Sequence, residues 1–496
     1  MSPSVSSSPA LAADLASATG CEVLTDPLRT DPYSHDWWPR LLMRRRAGED
    51  LPRPDAVVVP RTRDDVVAVL RWATTHQVAL VPFGAGTGVC GGAAPVAGAI
   101  TLDLKALTAI GELDEVSGIV EVEPGVIAQR LEDHLAARGW TLGHHPSSAH
   151  ASTIGGFLAV RSAGQTSSLF GKMEDMVVAL EVVLADGQVL TSRVVPQSSS
   201  GPDLTRLFLG GEGTTGIITR AWLRVRPAPE VALDRGWLVP DLRAGIDALR
   251  AIVRTGAMPA VLRLYDETDT AVVFGGQDLP VPEGCLLIVG CEGRHDVAAF
   301  TEQVASAELA RLGAEDLGRG PGEHWRAHRH GMSYRFADYV KPGGTFGDAL
   351  TLDTMEVAGR WRDLPALYDA VKGALSQHLD LVLAHVSHVY DTGASIYFTL
   401  GAVNEGDEDQ ALARYDAAWE AGQSAALALG ATASHHHGVG LLRAPHLPVE
   451  LGEAGWDVLR RVKAALDPDH RLNPGKLGLL PPDGVTPAGP DRGARP

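Results

Sequence analysis

A glycine-rich loop between two short β-like runs constrains the fold of this chain most strongly. Residues 84–92 (GAGTGVCGG) contain the spacing Gly-x-Gly-x-x-Gly and follow the apolar run 78–83. In a Rossmann fold such a loop opens directly into a helix whose N-terminus meets a pyrophosphate. Here it is followed by residues 93–98 (AAPVAG) and by a second β-like run at 100–104. The pattern therefore excludes a Rossmann fold, although bare peptide N–H groups after a strand can still bind an anion.

The segments around this loop predict small α+β units. Residues 56–60 form a short β-like run, and residues 63–76 carry the apolar spacing of an amphipathic helix. Further strands are predicted at 174–184, 187–190 and 221–225.

Two later clusters of small residues have the same character as the loop. The first spans residues 145–164, and the second, residues 210–219, runs into the strand at 221–225. Glycine, serine and threonine let a ligand approach the backbone closely, but ordinary turns use the same residues. Neither cluster is specific for a protein family by itself, but the order of all three clusters along the chain is specific.

A run of three histidines indicates a site of proton transfer. His435, His436 and His437 are followed by Gly438 and Gly440. Histidine titrates near neutral pH, and glycine allows close approach of the backbone to a ligand. A solvated turn or an adventitious metal patch explains three histidines equally well in isolation. The interpretation as a reaction site therefore depends on the upstream clusters.

Length and charge narrow the class of protein. A chain of 496 residues predicts two domains. The net charge of −18 argues against nucleic acid or an anionic membrane surface as the main partner. No apolar run approaches the roughly 20 residues of a membrane span, and the first twenty residues predict a disordered tail instead of a signal peptide. Four irregularly spaced cysteines favour a reducing cytoplasm.

The three glycine clusters and the histidine run, taken in this order, resemble the vanillyl-alcohol oxidase and cresol methylhydroxylase family of flavoproteins. Within that family the chain most resembles the alkylglycerone-phosphate synthases (alkyldihydroxyacetonephosphate synthases), over about residues 51–477. The segments that carry the resemblance are 81–87 (VPFGAGT), 152–156 (STIGG), 170–177 (FGKMEDMV), 200–204 (SGPDL), 211–219 (GEGTTGIIT), 263–266 (RLYD), 390–398 (YDTGASIYF) and the histidine run as far as Arg443.

This resemblance implies a fold and a domain organisation. The implied class is α+β, with a two-part FAD-binding domain of the vanillyl-alcohol oxidase type and a substrate-binding cap domain on an antiparallel sheet. The implied limits are an N-terminal tail and lead-in segment at 1–50, the FAD-binding domain at 51–228, the cap domain at 229–430, a C-terminal return to the FAD domain at 431–477 and a disordered tail at 478–496.

The resemblance also implies noncovalent FAD, and it makes Cys90 a small buried thiol instead of an attachment point. The residues that it implies in FAD binding are Pro82, Gly84, Ala85, Gly86, Thr87, Gly88, Pro146, Ser147, Ser152, Thr153, Gly155, Gly156, Arg161, Ser162, Gly164, Glu212, Gly213, Gly216, Ile217 and Ile218.

The implied reaction exchanges an acyl group for an alkoxy group through a substrate adduct on flavin N5, without net oxidation. By resemblance, Tyr397 is the acid/base residue and the histidine run lies beside the substrate. Tyrosine is a poor base unless a nearby cation lowers its pKa, which the imidazoles and Arg263 are expected to do. Arg263 and Tyr390 are the expected substrate contacts in this region.

The chain departs from the family where an arginine binds the substrate phosphate. One alignment places Lys341 at the position of that arginine, and the other places Phe336 there with Arg335 adjacent. Lysine lacks the bidentate fork of arginine, so the substrate could be a phosphate or a carboxylate. We expect a small anionic substrate, with or without a lipid chain, and the sequence leaves homodimer formation open.

The alternative is an FAD-dependent 2-hydroxy-acid dehydrogenase or oxidase, and a flavin-binding protein without turnover is a third possibility. Several 2-hydroxy-acid enzymes hold a divalent metal with two histidines and a glutamate. Here His436 stands at the glutamate position and Tyr397 best matches the second histidine. This loss of ligands favours the synthase, and no metal site is expected.

Overall fold

The computed structural model describes residues 9–275, 282–329 and 349–480. The strands of its first sheet are β1 (Glu22–Leu24), β2 (Ala56–Val59), β3 (Leu80–Phe83) and β4 (Ile100–Asp103). They lie in the order β1-β2-β4-β3, with β2, β4 and β3 parallel and β1 antiparallel to β2. The glycine loop leaves the carboxyl end of β3 and the chain re-enters the sheet as β4, so the connection lacks the helix of a Rossmann loop.

The helices of the N-terminal part are α1 (Pro9–Thr19), α2 (Pro27–Thr30), α3 (Pro39–Arg46) and α4 (Arg63–His76). Helix α4 begins at a capping box between Thr62 and Asp65 and ends at Gln77 in the left-handed conformation. Its buried residues Val66 and Val69 belong to the core that this sheet shares with α4. The predicted amphipathic helix is therefore confirmed.

The prediction of a disordered tail over the first twenty residues is wrong for residues 9–19, which form α1. Leu15 is fully buried in the core of the first sheet, with Ala12 beside it. The indole Nε1 of Trp72 donates a 2.7 Å hydrogen bond to Asp14. Composition suggested disorder because serine and alanine dominate this segment, whereas the apolar pair three residues apart finds a partner in α4.

A second, antiparallel sheet carries the two later small-residue clusters on its connections. Its strands are β5 (Ile110–Asp114), β6 (Ile119–Val122), β8 (Val177–Val183), β9 (Val189–Thr191) and β10 (Ile217–Arg224), next to the short pair β7 (Trp140–Thr141) and β11 (Arg226–Pro227). The order is β5-β6-β10-β8-β9. The accompanying helices are α5 (Ala128–Ala136), α6 (Ile154–Val160), α7 (Ser167–Phe170), α8 (Met173–Met176) and α9 (Leu204–Phe208). The strand predicted from 174 begins only at Val177, because residues 173–176 form a helical turn.

The third and largest sheet is antiparallel throughout. Its strands are β12 (Val231–Val239), β13 (Val261–Tyr265), β14 (Cys285–Gly293), β15 (Glu315–Gly318), β16 (Leu350–Arg360), β17 (Leu381–Val389) and β18 (Gly393–Val403), in the order β15-β12-β14-β13-β17-β18-β16. The helices of this part are α10 (Leu242–Arg254), α11 (Glu267–Gly275), α12 (His295–Arg311), α13 (Gly320–His328), α14 (Leu364–Leu375) and α15 (Glu408–Ala428).

The two faces of this sheet differ in chemistry because side chains alternate along each strand. On β18, Ile396 and Phe398 belong to the main core with helices α10, α12, α14 and α15. The intervening Tyr397 therefore points to the opposite face. The same alternation places Arg263 of β13 and Glu356 of β16 on that opposite face, between neighbours that belong to the main core.

The C-terminal segment, with helix α16 (Leu447–Leu466), returns to the first sheet. Leu80 of β3 donates its N–H to the carbonyl of Arg471 and accepts from the N–H of Asn473. The histidine run lies between the end of the large sheet's last helix and this return. Among the described residues, no helix combines the length and apolar character of a membrane span.

Candidate active site

A row of polar and aromatic side chains crosses four neighbouring strands of the large sheet. Tyr265 pairs with His385, His385 with Tyr397, and Tyr397 with Glu356, so the four residues share one level on adjacent strands. The rings of His385 and Tyr397 stack with centroids 5.0 Å apart. This row supplies groups that can bind or protonate a ligand on an otherwise apolar sheet.

The histidine run lies against this row, as the sequence analysis expected. The ring of Tyr397 lies 6.1 Å from the ring of His436 and 5.7 Å from that of His437, between centroids. His435 contacts Tyr390, whose hydroxyl lies 2.9 Å from Nε2 of His435. The structure therefore brings together the four residues predicted to be catalytic and the predicted substrate contact Tyr390.

Burial keeps these imidazoles neutral. It lowers the pKa of His435 to about 3, with Lys172 contributing in the same direction. Burial also lowers the pKa of His436 far below its usual value. His388, from β17, behaves in the same way, and its ring lies 4.8 Å from that of His436. At neutral pH these three rings can therefore accept a proton or hydrogen bond but carry no charge.

The expected lowering of the pKa of Tyr397 by neighbouring cations is wrong. Burial raises that pKa to about 12, and the negative charges of Glu356 and Asp353 add to the rise. Arg263 acts in the opposite direction but is outweighed. The expectation failed because His435 and His436 are neutral and the carboxylates were not recognised in the sequence. Tyr397 is accordingly protonated at neutral pH.

Arg263 is held in place by a short chain of hydrogen bonds. Its Nη2 atom lies 2.7 Å from Nε2 of His385, and Nδ1 of His385 lies 2.9 Å from the carboxylate of Asp269. An Arg263 donor on Nε2 requires the Nδ1–H form of His385, which matches the carboxylate on the other side. The guanidinium also lies over the ring of Tyr265, 5.2 Å from its centroid. Arg335 and Lys341, the other predicted substrate contacts, lie outside the described residues.

The glycine loop has the properties of an anion cradle. Within the described ranges, the peptide N–H groups of residues 84–92 donate no hydrogen bond to the protein. A Cβ on Gly84 would lie 2.5 Å from Oγ1 of Thr153, and Gly86 has a φ of +67°. The hydroxyls of Thr87 and Ser152 lie 2.7 Å apart. A run of unpaired N–H groups at the carboxyl end of a parallel strand fits a pyrophosphate, so the residues present fit FAD.

The cradle and the histidine run are directly joined. The carboxylate of Glu212 accepts the N–H groups of Val439 and Gly440, at 2.6 and 2.9 Å. The carbonyl of Cys90 accepts the N–H groups of Leu441 and Leu442. Cys90 itself is buried, as expected, and burial raises its pKa well above the usual value. The turn after His437 is therefore fixed against the loop that would hold the pyrophosphate.

The other predicted FAD residues are distributed around this cradle. Thr153 caps α6, which carries Gly155 and Gly156, and Arg161 ends that helix in the left-handed conformation. Ser162 is buried with its hydroxyl 2.9 Å from Nε2 of His144. The side chain of Ser147 accepts a hydrogen bond from Gln165, and Ile217 and Ile218 are buried on β10. The other three positions are glycines where a Cβ would collide with a neighbour: Gly164 with the backbone of His145, which precedes Pro146, Gly213 with Pro82, and Gly216 with Val182.

Three imidazoles of the site also form a possible metal group. One ring nitrogen each of His388, His435 and His436 lie within 4.8 Å of one another. Nδ1 of His388 lies 2.7 Å from the hydroxyl of Ser167, and Tyr390 contacts His435. Such outer partners orient metal-binding histidines in many proteins. The absence of a metal therefore stays a prediction.

Comparisons with known proteins agree with this geometry. A family model described as an FAD binding domain matches residues 54–193, and one described as the C-terminal domain of FAD linked oxidases matches residues 229–477. Alkyldihydroxyacetonephosphate synthase of Trypanosoma brucei brucei is 30% identical over 472 residues, which cover 88% of this chain and 75% of that protein. Glycolate oxidase subunit GlcD of Bacillus subtilis (strain 168) is 30% identical over 432 residues, covering 86% of this chain and 89% of that protein.

A solved structure identifies the fold type. The crystal structure of p-cresol methylhydroxylase with substrate bound superposes with a TM-score of 0.74 at 18% identity, covering 92% of this chain and 94% of that chain. The predicted α+β fold of the vanillyl-alcohol oxidase and cresol methylhydroxylase type is confirmed, and so is FAD as the cofactor. The exact domain limits stay predictions.

Proposed function

The chain belongs to the FAD-linked oxidase family and is an FAD-dependent enzyme, and we propose that it exchanges an acyl group for an alkoxy group on a small anionic substrate. The supporting observation is the meeting of protonated Tyr397 with the neutral imidazoles of His435 and His436 beside the anion cradle. In this exchange a C–O bond to a departing carboxylate breaks and a C–O bond to an alcohol forms. The alcohol loses its proton, and no net oxidation occurs.

The residues of the site divide the proton handling between them. A neutral imidazole can take a proton from the substrate carbon or the incoming alcohol, and the hydroxyl of Tyr397 can donate a hydrogen bond to the departing carboxylate oxygen. When bound, FAD supplies a flavin that can accept and return an electron pair within one turnover. Burial excludes water from the site, which protects the exchange from hydrolysis.

The anionic group of the substrate is proposed to bind at Arg263. Its Nε atom is buried and has no hydrogen-bond partner in the part of the chain that the structure describes. An unpaired guanidinium N–H in a buried site favours an anionic oxygen as ligand. Arg335 and Lys341 stay predicted contacts for the same group, and a lipid chain on the substrate is part of the proposal.

An oxygen-labelled alcohol tests this proposal. The FAD-loaded protein is incubated with palmitoyl-dihydroxyacetone phosphate and a fatty alcohol labelled with oxygen-18. Exchange predicts that the label appears in the ether oxygen of the product and that palmitate is released in equal amount. Palmitate release without ether formation would reveal a hydrolase and overturn the proposal.

The second candidate is an FAD-dependent 2-hydroxy-acid dehydrogenase or oxidase. The possible metal group of His388, His435 and His436 favours it, since related enzymes use a metal to bind the hydroxy acid. This candidate predicts that added zinc or manganese raises turnover of a 2-hydroxy acid and that a chelator abolishes it. Metal-independent ether formation would exclude it as the main reaction.

A further inference from the structure

Glu356 is a buried carboxylate that accepts hydrogen bonds from the backbone of the histidine run. Its side chain is fully buried on β16, directly opposite Tyr397. One of its oxygens, Oε1, accepts the hydroxyl of Ser434 at 3.0 Å and the N–H groups of His436 and His437 at 3.2 and 2.9 Å. A single carboxylate therefore fixes the backbone at two successive residues of the run and the side chain of Ser434 just before it.

Arg443 keeps this carboxylate charged. Both Nη atoms of Arg443 donate to Glu356, and the side chains of both residues are fully buried. Arg443 holds the pKa of Glu356 well below its usual range, against the opposing effect of burial. A buried anion with this many donors is a rigid support, because moving it would leave several polar groups unpaired.

The same carboxylate lies against one nitrogen of His437. Nδ1 of His437 lies 2.9 Å from Oε2 of Glu356, although the pair does not meet the geometry of a hydrogen bond. The ring of His437 stands nearly perpendicular to that of Tyr397, at 82°. Nε2, on the far side of the imidazole, has no hydrogen-bond partner among the described residues. A carboxylate on Nδ1 favours the form that carries its proton there and leaves Nε2 as an acceptor.

We propose that Glu356 is a positioning residue that fixes His437 in the Nδ1–H form, so that Nε2 of His437 is the proton acceptor of the site. This proposal rests on the proposed function for the identity of the reaction, but not for the state of His437. Tyr397 and His437 would then form a donor and acceptor pair across the same ligand. Glu356 contributes through His437 and the backbone and does not itself touch the substrate.

The test combines nitrogen NMR with kinetics on the FAD-loaded protein. Histidines are labelled with nitrogen-15, and the signals of His437 are assigned by their loss in His437→Gln. We expect the Nδ1–H form in the wild type and a change of these signals in Glu356→Gln. Turnover in Glu356→Gln should fall about a hundredfold, with KM and FAD content unchanged, as for a displaced catalytic group.

A second buried ion pair provides the matched control. Asp467 and Lys463 are also fully buried, and Asp467 likewise accepts two backbone N–H groups. Asp467→Asn should lower the melting temperature and leave the His437 signals in place. If Glu356→Gln alone does not fold, the double variant Glu356→Gln with Arg443→Gln removes both charges and avoids an unpaired one.

The outcomes of the Glu356 test can be told apart from those of the labelled-alcohol test of the proposed function. Unchanged His437 signals in Glu356→Gln, or in the double variant, would overturn the positioning role whatever the reaction is. Wild-type turnover in these variants would overturn it as well. If the labelled alcohol is not incorporated, the exchange fails as a function, while the NMR result still decides the role of Glu356.

Discussion

Burial sets the protonation states at the scale of single residues. It raises the pKa of Tyr397 and lowers those of His435 and His436, so a protonated phenol and neutral imidazoles lie side by side because of their environment. Tyr397→Phe removes the donor and keeps the ring. We expect turnover to fall by roughly 10²–10⁴-fold with FAD content intact. Near-normal turnover with a small loss of stability, measured by steady-state kinetics and thermal unfolding, would make Tyr397 a packing residue.

His144 gives a pH-dependent prediction outside the histidine run. Burial lowers its pKa from 6.5 to about 3. The unfolded chain therefore binds a proton between these pH values that the folded protein does not, and the folded state loses stability as the pH falls through this window. His144→Gln removes this titration.

Urea unfolding of wild type and His144→Gln between pH 7 and pH 4 checks the prediction. The free energy of unfolding of the wild type should fall relative to that of the variant as the pH is lowered. A constant difference across the range would mean that His144 titrates alike in both states.

At the scale of elements, the glycine loop is the feature whose geometry is most demanding. Gly86 has a φ of +67°, and a Cβ there would lie 2.6 Å from the ring of Phe83. We expect Gly86→Val to abolish FAD binding, measured as flavin content after purification. Gly98 is the control, because its φ is +75° but a Cβ there meets nothing within 4 Å. Gly98→Val should keep its flavin, and equal flavin loss in both variants would mean that backbone strain alone is responsible.

Local sequence patterns were enough to predict the secondary-structure elements that flank the glycine loop. Apolar spacing predicted α4, the order strand, loop, strand excluded a Rossmann fold, and the flanking β-runs correspond to β2, β3 and β4. Helix α1 was missed because its apolar residues are few and their partner lies on α4. Local composition cannot report such a partner.

At the site, contacts between residues distant in sequence could not be predicted from the sequence. Glu356 and Arg443 are 87 residues apart, and each looks like an ordinary surface charge in its own segment. The sign of the pKa shift of Tyr397 depends on that same carboxylate and on burial. One signal was available in the sequence, since Glu356 is a charged residue between the apolar residues Met355 and Val357.

At the scale of the whole molecule, the C-terminal return ties the cradle to the histidine run. The side-chain amide of Asn473 donates to the carbonyls of Gly92 and Glu212, at 3.1 and 2.6 Å. Asn473→Ala leaves both carbonyls without this donor, at a cost of about 1–3 kcal/mol if they stay buried. We expect weaker FAD binding, measured by titrating the flavin-free protein.

Thr74→Ala is the matched control for this variant. Thr74 also donates a side-chain hydrogen bond to a backbone carbonyl, that of Ala185, which belongs neither to the loop nor to the C-terminal return. It should lower stability without changing FAD affinity. Equal FAD affinity in the two variants would show that the C-terminal return does not support the cradle.

We propose that this flavin enzyme performs exchange without net oxidation, and the two reactions differ in what they do to the flavin. Anaerobic mixing of the FAD-loaded protein with palmitoyl-dihydroxyacetone phosphate and, separately, with a panel of 2-hydroxy acids tests it most directly through the flavin absorbance. Our account predicts a perturbed spectrum with the phosphate ester that returns to the oxidised form once alcohol is added, and no bleaching by any hydroxy acid. Stable bleaching by a 2-hydroxy acid, with no response to the ester, would contradict it.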